Sequence, residues 1–175
     1  MEKYSDFLTL AAERYSVRSF KRDPIPREIT ESILRAGHLA PTGCNYQPQK
    51  IYVIQTPQAI EKLKKCTRCH FDAPAAILVC YDKTLSWKRK RYDGAECGPI
   101  DASIVTTHMM LEAWEQGIGS CWVMYFDPEA MRREFDLPEE QEPVALLVMG
   151  YPAVDAKPMD LYSRFRTEDE IVKYL

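Results

Sequence analysis

Apolar residues recur along this chain with two periods, and the alternation between them lays out the elements. Leu8, Ala11, Ala12 and Tyr15 fall at i, i+3, i+4 and i+7, which predicts a helix over about residues 5–15, with Ser5 or Asp6 as its cap. A second helix opens at Pro26, where a missing N–H costs nothing. It carries the stripe Ile29, Ile33, Ala36, Ala40 and closes at Pro41. Lys50–Gln55, rich in Ile, Tyr and Val, reads as a strand, and Thr56-Pro57 then starts a short helix containing Ile60 and Leu63. Ala75–Tyr81 is a continuous apolar run, the mark of a central strand buried on both faces. Pro99–Glu115 is a long helix with two apolar sides, Ile100, Ile104, His108 and Leu111 on one and Ala102, Val105, Met109 and Ala113 on the other. Such a helix is deeply buried or lies between subunits, and Gly117 and Gly119 end it. Ser120–Tyr125 is a strand, Asp127-Pro128 opens another short helix that stops at Leu137-Pro138, and Pro143–Met149 is the last core strand. Beyond Gly150-Tyr151-Pro152 the pattern fades into a tail of 23 residues, 153–175, long for a compact domain and so either loose or docked. The alternation places the chain in a mixed α and β class and leaves strand direction open.

Composition narrows this picture. With 175 residues the chain is expected to form one domain, 1–175. Hydrophobic residues at 46% and charged residues at 28% exclude a disordered chain. A chain this long buries roughly 70% of its unfolded surface and needs no disulfide or metal staple. The net charge of −3, from 23 basic and 26 acidic residues, argues against nucleic acid as a partner. The longest apolar runs are strand-length, so no membrane association is expected. Met1–Asp6 lacks the basic start and apolar core of a secretory signal. The expected location is therefore the cytoplasm, with the six cysteines as reduced thiols.

Four segments carry candidate chemistry. Arg14-Tyr15-Ser16-Val17-Arg18 follows the first helix, and in an extended chain Arg14, Ser16 and Arg18 share one face. Two guanidinium forks and a hydroxyl suit a phosphate or an anionic ring, although a solvated charged turn fits the same residues. Pro41-Thr42-Gly43-Cys44-Asn45-Tyr46-Gln47-Pro48 is a loop whose Asn45 and Gln47 can read a heterocycle, or it is a helix stop and a turn. Gly117-Ile118-Gly119-Ser120-Cys121-Trp122 is a glycine-rich turn into a strand, with neither the order nor the spacing of a dinucleotide fingerprint. Cys66-Thr67-Arg68-Cys69-His70 has a chelating spacing but no obvious fourth ligand, so two thiols at a helix end are favoured over a metal site. His38 and His108 lie in apolar helices and read as core or interface histidines; Cys80 reads as core and Cys97 as loop. The basic run Lys88-Arg89-Lys90-Arg91 reads as a solvated face, with attraction of a nicotinamide cofactor's phosphates as the alternative.

Taken in order, these segments resemble the nitroreductase family of flavin enzymes over nearly the whole chain. Arg14–Phe20 is similar to the family's Arg-x-Ser-x-Arg/Lys segment, and Ala40–Pro48 to its Ala-Pro-Ser-x-x-Asn-x-Gln-Pro loop. Gly117–Trp122 resembles the Gly-Leu-Gly-Ser-Cys-Trp turn of its shorter members, and Pro143–Pro152 their last core strand. Gln49 stands where many members have Trp after Gln-Pro.

The resemblance implies an α+β, three-layer α-β-α fold with a mostly antiparallel central sheet. It also implies a homodimer with FMN at the interface and a C-terminal extension, residues 153–175, wrapping onto the partner subunit. By position, Arg14 and Ser16 would hold the FMN phosphate end, Arg18 would lie near N1 and the C2 carbonyl, and Tyr15 would be a further cofactor-binding residue. Pro41, Thr42, Asn45 and Gln47 would come from the other subunit. Trp122, Val123, Met124 and Tyr125 would run beside the isoalloxazine, with a backbone N–H near N5. Arg164, ahead of Arg166, would complete the phosphate site. The implied activity is hydride transfer from NADH or NADPH through the flavin to a small acceptor such as a nitroaromatic or quinone, with ping-pong kinetics. No side chain is assigned as acid or base, and no metal is expected. A non-catalytic FMN-binding or storage protein is the alternative, and a zinc module built on Cys66 and Cys69 a third.

Overall fold

The computed structural model describes residues 6–175. Helix α1 spans Phe7–Glu13, and Asp6 caps it by accepting a hydrogen bond from the Thr9 N–H at 2.8 Å; Ser5, the other expected cap, lies outside the described residues. Helix α2 spans Arg27–His38 and begins one residue after Pro26. Strand β1 is Gln49–Ile54, and α3 is Pro57–Cys66, where the Thr56 hydroxyl accepts from the Ala59 N–H. Strand β2, Ala75–Asp82, is buried at every position, as its unbroken apolar run requires. Helix α4 is Gly98–Glu115, β3 is Gly119–Val123, α5 is Pro128–Phe135 and β4 is Gln141–Gly150. The tail is not wholly irregular: a 3₁₀ turn at Asp160–Ser163 and a one-turn helix α6 at Glu168–Ile171 interrupt it.

Two glycines set the turn between α4 and β3. Gly117, at φ +77, occupies the left-handed position after the helix. The Ile118 N–H reaches the Ala113 carbonyl and the Gly117 N–H that of Trp114, which satisfies the last carbonyls of α4. Gly119 has a different role. It starts β3, and a Cβ there would stand 2.6 Å from the Val17 side chain, so its bareness lets the 14–20 segment lie against the strand.

All four strands are antiparallel, in the order β1-β2-β4-β3. Pro143 is accommodated inside β4 because the β2 register shifts between Val79 and Cys80 where they face it. The ladder with β3 begins only at Leu146, so the missing N–H orphans no partner there. Helices α2 and α4 cover one face of the sheet and α3 and α5 the other, which makes three layers. On the first face Ala102, Val105, Met109 and Ala113 of α4 are fully buried with Ile33, Ile77 and Leu147. Its other apolar side is uncovered in the single chain: Ile100 is 59% exposed, and with Pro99, Ile104, Thr107 and His108 it forms a shallow, mostly apolar groove.

Candidate active site

The segment after α1 runs beside β3. Ser16 bridges Ser120 in parallel, the Val17 N–H donates to the Ser120 carbonyl at 2.9 Å, and Phe20 bridges Pro152. This extended path fixes the alternation expected from the sequence. The Ser16 hydroxyl and the Arg14 and Arg18 guanidiniums all act on the buried Cys121 thiol. Burial raises that thiol's pKa, while Arg18, the Ser16 hydrogen bond and Arg14 oppose the rise. Arg18 donates to the Ser16 carbonyl at 3.1 Å, and neither Arg14 nor Arg18 forms an ion pair among the described residues. Val17 between them is fully buried and pins the segment. Tyr15 packs edge-on against Trp114 at 5.2 Å, near the C-terminal end of α4.

The strand that carries this segment continues outward. Trp122 is half-buried and Val123 buried, and the chain then leaves the sheet with Met124 at 64% and Tyr125 at 78% exposure. Two cations without an ion pair among the described residues therefore lie beside the strand that ends in an exposed apolar lip.

The loop 41–47 is held elsewhere. Cys44, Asn45 and Gln47 take left-handed backbone conformations at φ 49, 56 and 51. Gln47 donates from its side chain to the Asn45 amide oxygen at 3.0 Å and from its N–H to the Thr42 hydroxyl at 3.0 Å. The loop is held to α4 by the Gly43 N–H, which donates to Asp101 Oδ1 at 2.9 Å. Pro41, Asn45 and Gln47 are exposed and Thr42 half-buried. Asp101 was not singled out by the sequence. The available signal was an acid four residues before Val105, on the buried side of an apolar helix.

Asp101 and Trp114 stand thirteen positions apart on α4, about 20 Å along a helix axis. The structure thus places Tyr15, and with it Arg14 and Ser16, by the C-terminal end of α4, with Trp122–Tyr125 following along β3. It places Pro41, Thr42, Asn45 and Gln47 at the other end of that helix.

The tail returns to the first cluster. The Tyr162 hydroxyl donates to the Ala12 carbonyl, the Tyr15 hydroxyl to the Ala156 carbonyl at 3.2 Å, and the two rings meet edge-on at 6.4 Å. Arg164 follows two residues after Tyr162 and is exposed without an ion pair among the described residues, whereas Arg166 lies 3.7 Å from Glu170.

Other candidates resolve differently. His38 is exposed and His108 half-buried on the uncovered side of α4, so neither belongs to the core. Cys66 ends α3 and its thiol donates to the Lys62 carbonyl at 3.4 Å; burial pushes its pKa up to about 11. Among the described residues no group of three or more His, Cys, Asp or Glu is arranged to hold a metal. Cys80 is core, its pKa raised by burial to about 12. Cys97 caps α4 rather than sitting in an open loop, and its thiol donates to Asp101 at 3.3 Å. Two of the four cations of the Lys88–Arg91 run are paired, Arg89 2.6 Å from Asp93 and Lys88 3.7 Å from Glu96.

An antiparallel four-stranded sheet between two helical layers makes this an α+β protein, with Arg14 and Arg18, which form no ion pair among the described residues, beside its edge strand. The sequence model of the Nitroreductase family matches residues 11–73 and 68–151, and the chain belongs to that family. A nitroreductase family protein from Clostridium difficile 630 has the same fold, with TM-score 0.90 and 44% identity over 97% of this chain and 98% of that one. An NADH dehydrogenase of Thermus thermophilus is 27% identical over 184 residues, covering 87% of this chain and 90% of its own. A relative from Archaeoglobus fulgidus, named for NADH dehydrogenase/NAD(P)H nitroreductase, is 31% identical over 152 residues, 83% of this chain and 84% of its own. No helix among the described residues is long and apolar enough to cross a membrane.

Proposed function

We propose that this chain is an FMN-dependent oxidoreductase that takes a hydride from NADH or NADPH and delivers electrons to a small acceptor such as a nitroaromatic or quinone. Family membership and the names of the relatives support the NAD(P)H-dependent flavin chemistry. The observation that carries the site is the pair of unneutralised guanidiniums, Arg14 and Arg18, flanking Ser16 beside β3. That donor set fits a terminal phosphate and an electron-rich ring edge. FMN, when bound, supplies the hydride-accepting chemistry, and the protein supplies position and charge.

Each residue has a role in that reading. Arg14 and Ser16, with Arg164 from the tail, hold the phosphate monoester. Arg18 stabilises negative charge on the ring. Trp122, Met124 and Tyr125 form the apolar wall that orients the ring and excludes water, and Val123, buried in the core, anchors the strand between them.

The separation of the two residue groups along α4 argues for a homodimer. One chain cannot bring Thr42 and Asn45 to Arg14. A second copy laid antiparallel on the uncovered apolar side of α4 would do so twice, once at each end. The exposed tail residues Phe165, Ile171 and Tyr174 then gain a partner surface to cover, which contiguous apolar exposure calls for.

The test is the absorbance spectrum of the purified protein together with its mass in solution. FMN equimolar with chain in a dimer that oxidises NAD(P)H supports the assignment. A colourless protein that does not take up FMN overturns it, and a yellow dimer inert toward NADH and NADPH leaves a flavin carrier instead.

A further inference from the structure

A cleft of about 580 Å³ opens between the C-terminal end of α3 and the chain leaving β3, lined by Lys64, Lys65, Cys66, Thr67, Arg68, Tyr125, Phe126 and Asp127. Its lining holds three cations against one carboxylate. The two lysines have local partners: Lys64 lies 2.7 Å from Glu61 and 4.0 Å from Asp72, and Lys65 lies 3.0 Å from Glu134. Arg68 is exposed and forms no ion pair or hydrogen bond among the described residues. The carboxylate, Asp127, has its Oδ1 engaged by the Glu129 and Ala130 N–H groups at the start of α5. A free guanidinium thus stands at the lip of a basic cleft.

The cleft is built rather than incidental. Thr67 is buried, and its hydroxyl donates to the Tyr125 carbonyl at 2.6 Å and accepts from the Cys69 N–H at 2.9 Å. The Asp127 N–H donates to the Cys66 carbonyl at 2.8 Å. These contacts tie the two walls together at fixed width. Tyr125 is shared: it ends the apolar strip placed beside the flavin ring and begins the wall of the cleft. An anionic ligand seated at Arg68 would therefore extend from the same strand end at which the reaction is proposed.

We infer that this cleft binds a phosphate group of the nicotinamide dinucleotide donor, with Arg68 as the anchoring residue; the inference rests on the flavin oxidoreductase reading above. The chemistry is the match of a planar, always-charged fork to phosphate oxygens, with Lys64 and Lys65 adding a favourable field that salt weakens. The dinucleotide offers two such groups, the 5′-pyrophosphate common to both donors and the 2′-phosphate of NADPH. The sequence offered Lys88–Arg91 for this task only as the alternative to a solvated face, and there Arg89 pairs with Asp93 and Lys88 with Glu96.

The experiment is calorimetric titration of the flavin-loaded protein with ADP, 2′-AMP and adenosine, on the natural chain and on Arg68→Ala and Arg68→Lys. Adenosine should not bind measurably. Loss of a charge-assisted contact should weaken the phosphate-bearing probe about tenfold to hundredfold in Arg68→Ala, with Arg68→Lys between the two. If only ADP responds, the seat takes the pyrophosphate; if only 2′-AMP responds, it takes the 2′-phosphate and the enzyme prefers NADPH. Equal affinity of the natural chain and Arg68→Ala for both probes would overturn the assignment. So would an Arg68→Ala chain that purifies without FMN, since Arg68 would then belong to the flavin's own seat. If the natural chain carries no flavin, the oxidoreductase reading falls, yet the same titrations on it still decide whether Arg68 holds phosphate.

Discussion

Asp101, 1% exposed near the start of α4, accepts the backbone N–H of Gly43 at 2.9 Å and so fixes a loop 58 positions away in sequence. Its other oxygen, Oδ2, is buried without a hydrogen-bond partner among the described residues. The desolvation of that carboxylate is tolerated at the point where the loop bearing Thr42 and Asn45 needs an anchor. Asp101→Ala should therefore weaken FMN binding although Asp101 is not among the proposed flavin contacts, and should cost about 1–3 kcal/mol of stability for the unpaired Gly43 N–H. Asp101→Asn keeps an acceptor oxygen and should retain most of the flavin affinity. Flavin fluorescence titrations and thermal melts of both variants check this; equal loss in the two would mean that the charge, and not the anchor, matters.

The tail should be part of the folded unit. Tyr162 reaches the Ala12 carbonyl and Tyr15 the Ala156 carbonyl, so removing residues 153–175 deletes both contacts and the candidate phosphate arginine Arg164. The truncated chain is expected to lose FMN and to bind a hydrophobic dye more strongly. Tyr162→Phe, which keeps the ring and removes one hydrogen bond, should cost about 1 kcal/mol. A truncated chain that stays a flavin-loaded dimer would show that the tail is dispensable.

Stability should fall on the acid side. The Lys83 ammonium at 2.8 Å and the Arg132 guanidinium at 2.6 Å hold the Glu142 carboxyl below its ordinary value. The Thr84 hydroxyl and N–H do the same for Asp82. For groups whose folded pKa is depressed, the unfolded chain binds protons first as pH drops. Their stabilisation is therefore complete above the unfolded value of about 4 and is lost as pH falls through the lower folded value. Urea midpoints should hold from neutral pH to about pH 5 and decline below about pH 4. Glu142→Gln should be less stable at neutral pH with a shallower acid decline; an unchanged decline would remove Glu142 from the account.

Local order was legible because it depends on neighbours in sequence. Thr56, Asp127 and Gly117 mark their helix ends by chemistry that acts within a few residues, and the buried run of β2 reports a central strand. The antiparallel pairing of β2 with β4, the Ser16–Ser120 bridge and the docking of Tyr162 on Ala12 are contacts between distant segments, which no local pattern encodes. The strand expected over Ser120–Tyr125 stops at Val123 because the chain there turns away from β4 toward the end of α3, where the Thr67 hydroxyl donates to the Tyr125 carbonyl. The family resemblance supplied the site residues that periodicity left as turns. It did not reveal Asp101, which holds the loop through Gly43, or Arg68, whose cleft exists only once α3 and β3 meet.

Donor and acceptor should use one pocket in turn. The described chain folds as one sheet with its covering helices, and no dinucleotide fingerprint is present to hold the donor at a separate site. Hydride transfer requires approach to about 3–3.5 Å, so the donor must leave the Tyr125 end of the strand before an acceptor can occupy it. Double-reciprocal plots at several fixed acceptor concentrations should be parallel; intersecting lines would require a second site.

The most direct measurement of the two-copy site is complementation. Arg14→Ala breaks one half of each site and Asn45→Ala the other, so each variant alone should bind FMN weakly, by about 1.5–3 kcal/mol for the arginine contact. Co-expressed and purified as a mixed dimer, one Arg14→Ala chain and one Asn45→Ala chain rebuild one intact site and leave one doubly broken. The account requires tight FMN binding at half the natural stoichiometry, with NAD(P)H oxidation restored to the same extent. A mixed dimer that binds FMN no better than its parents would place Arg14 and Asn45 in sites of the same chain and contradict the shared site.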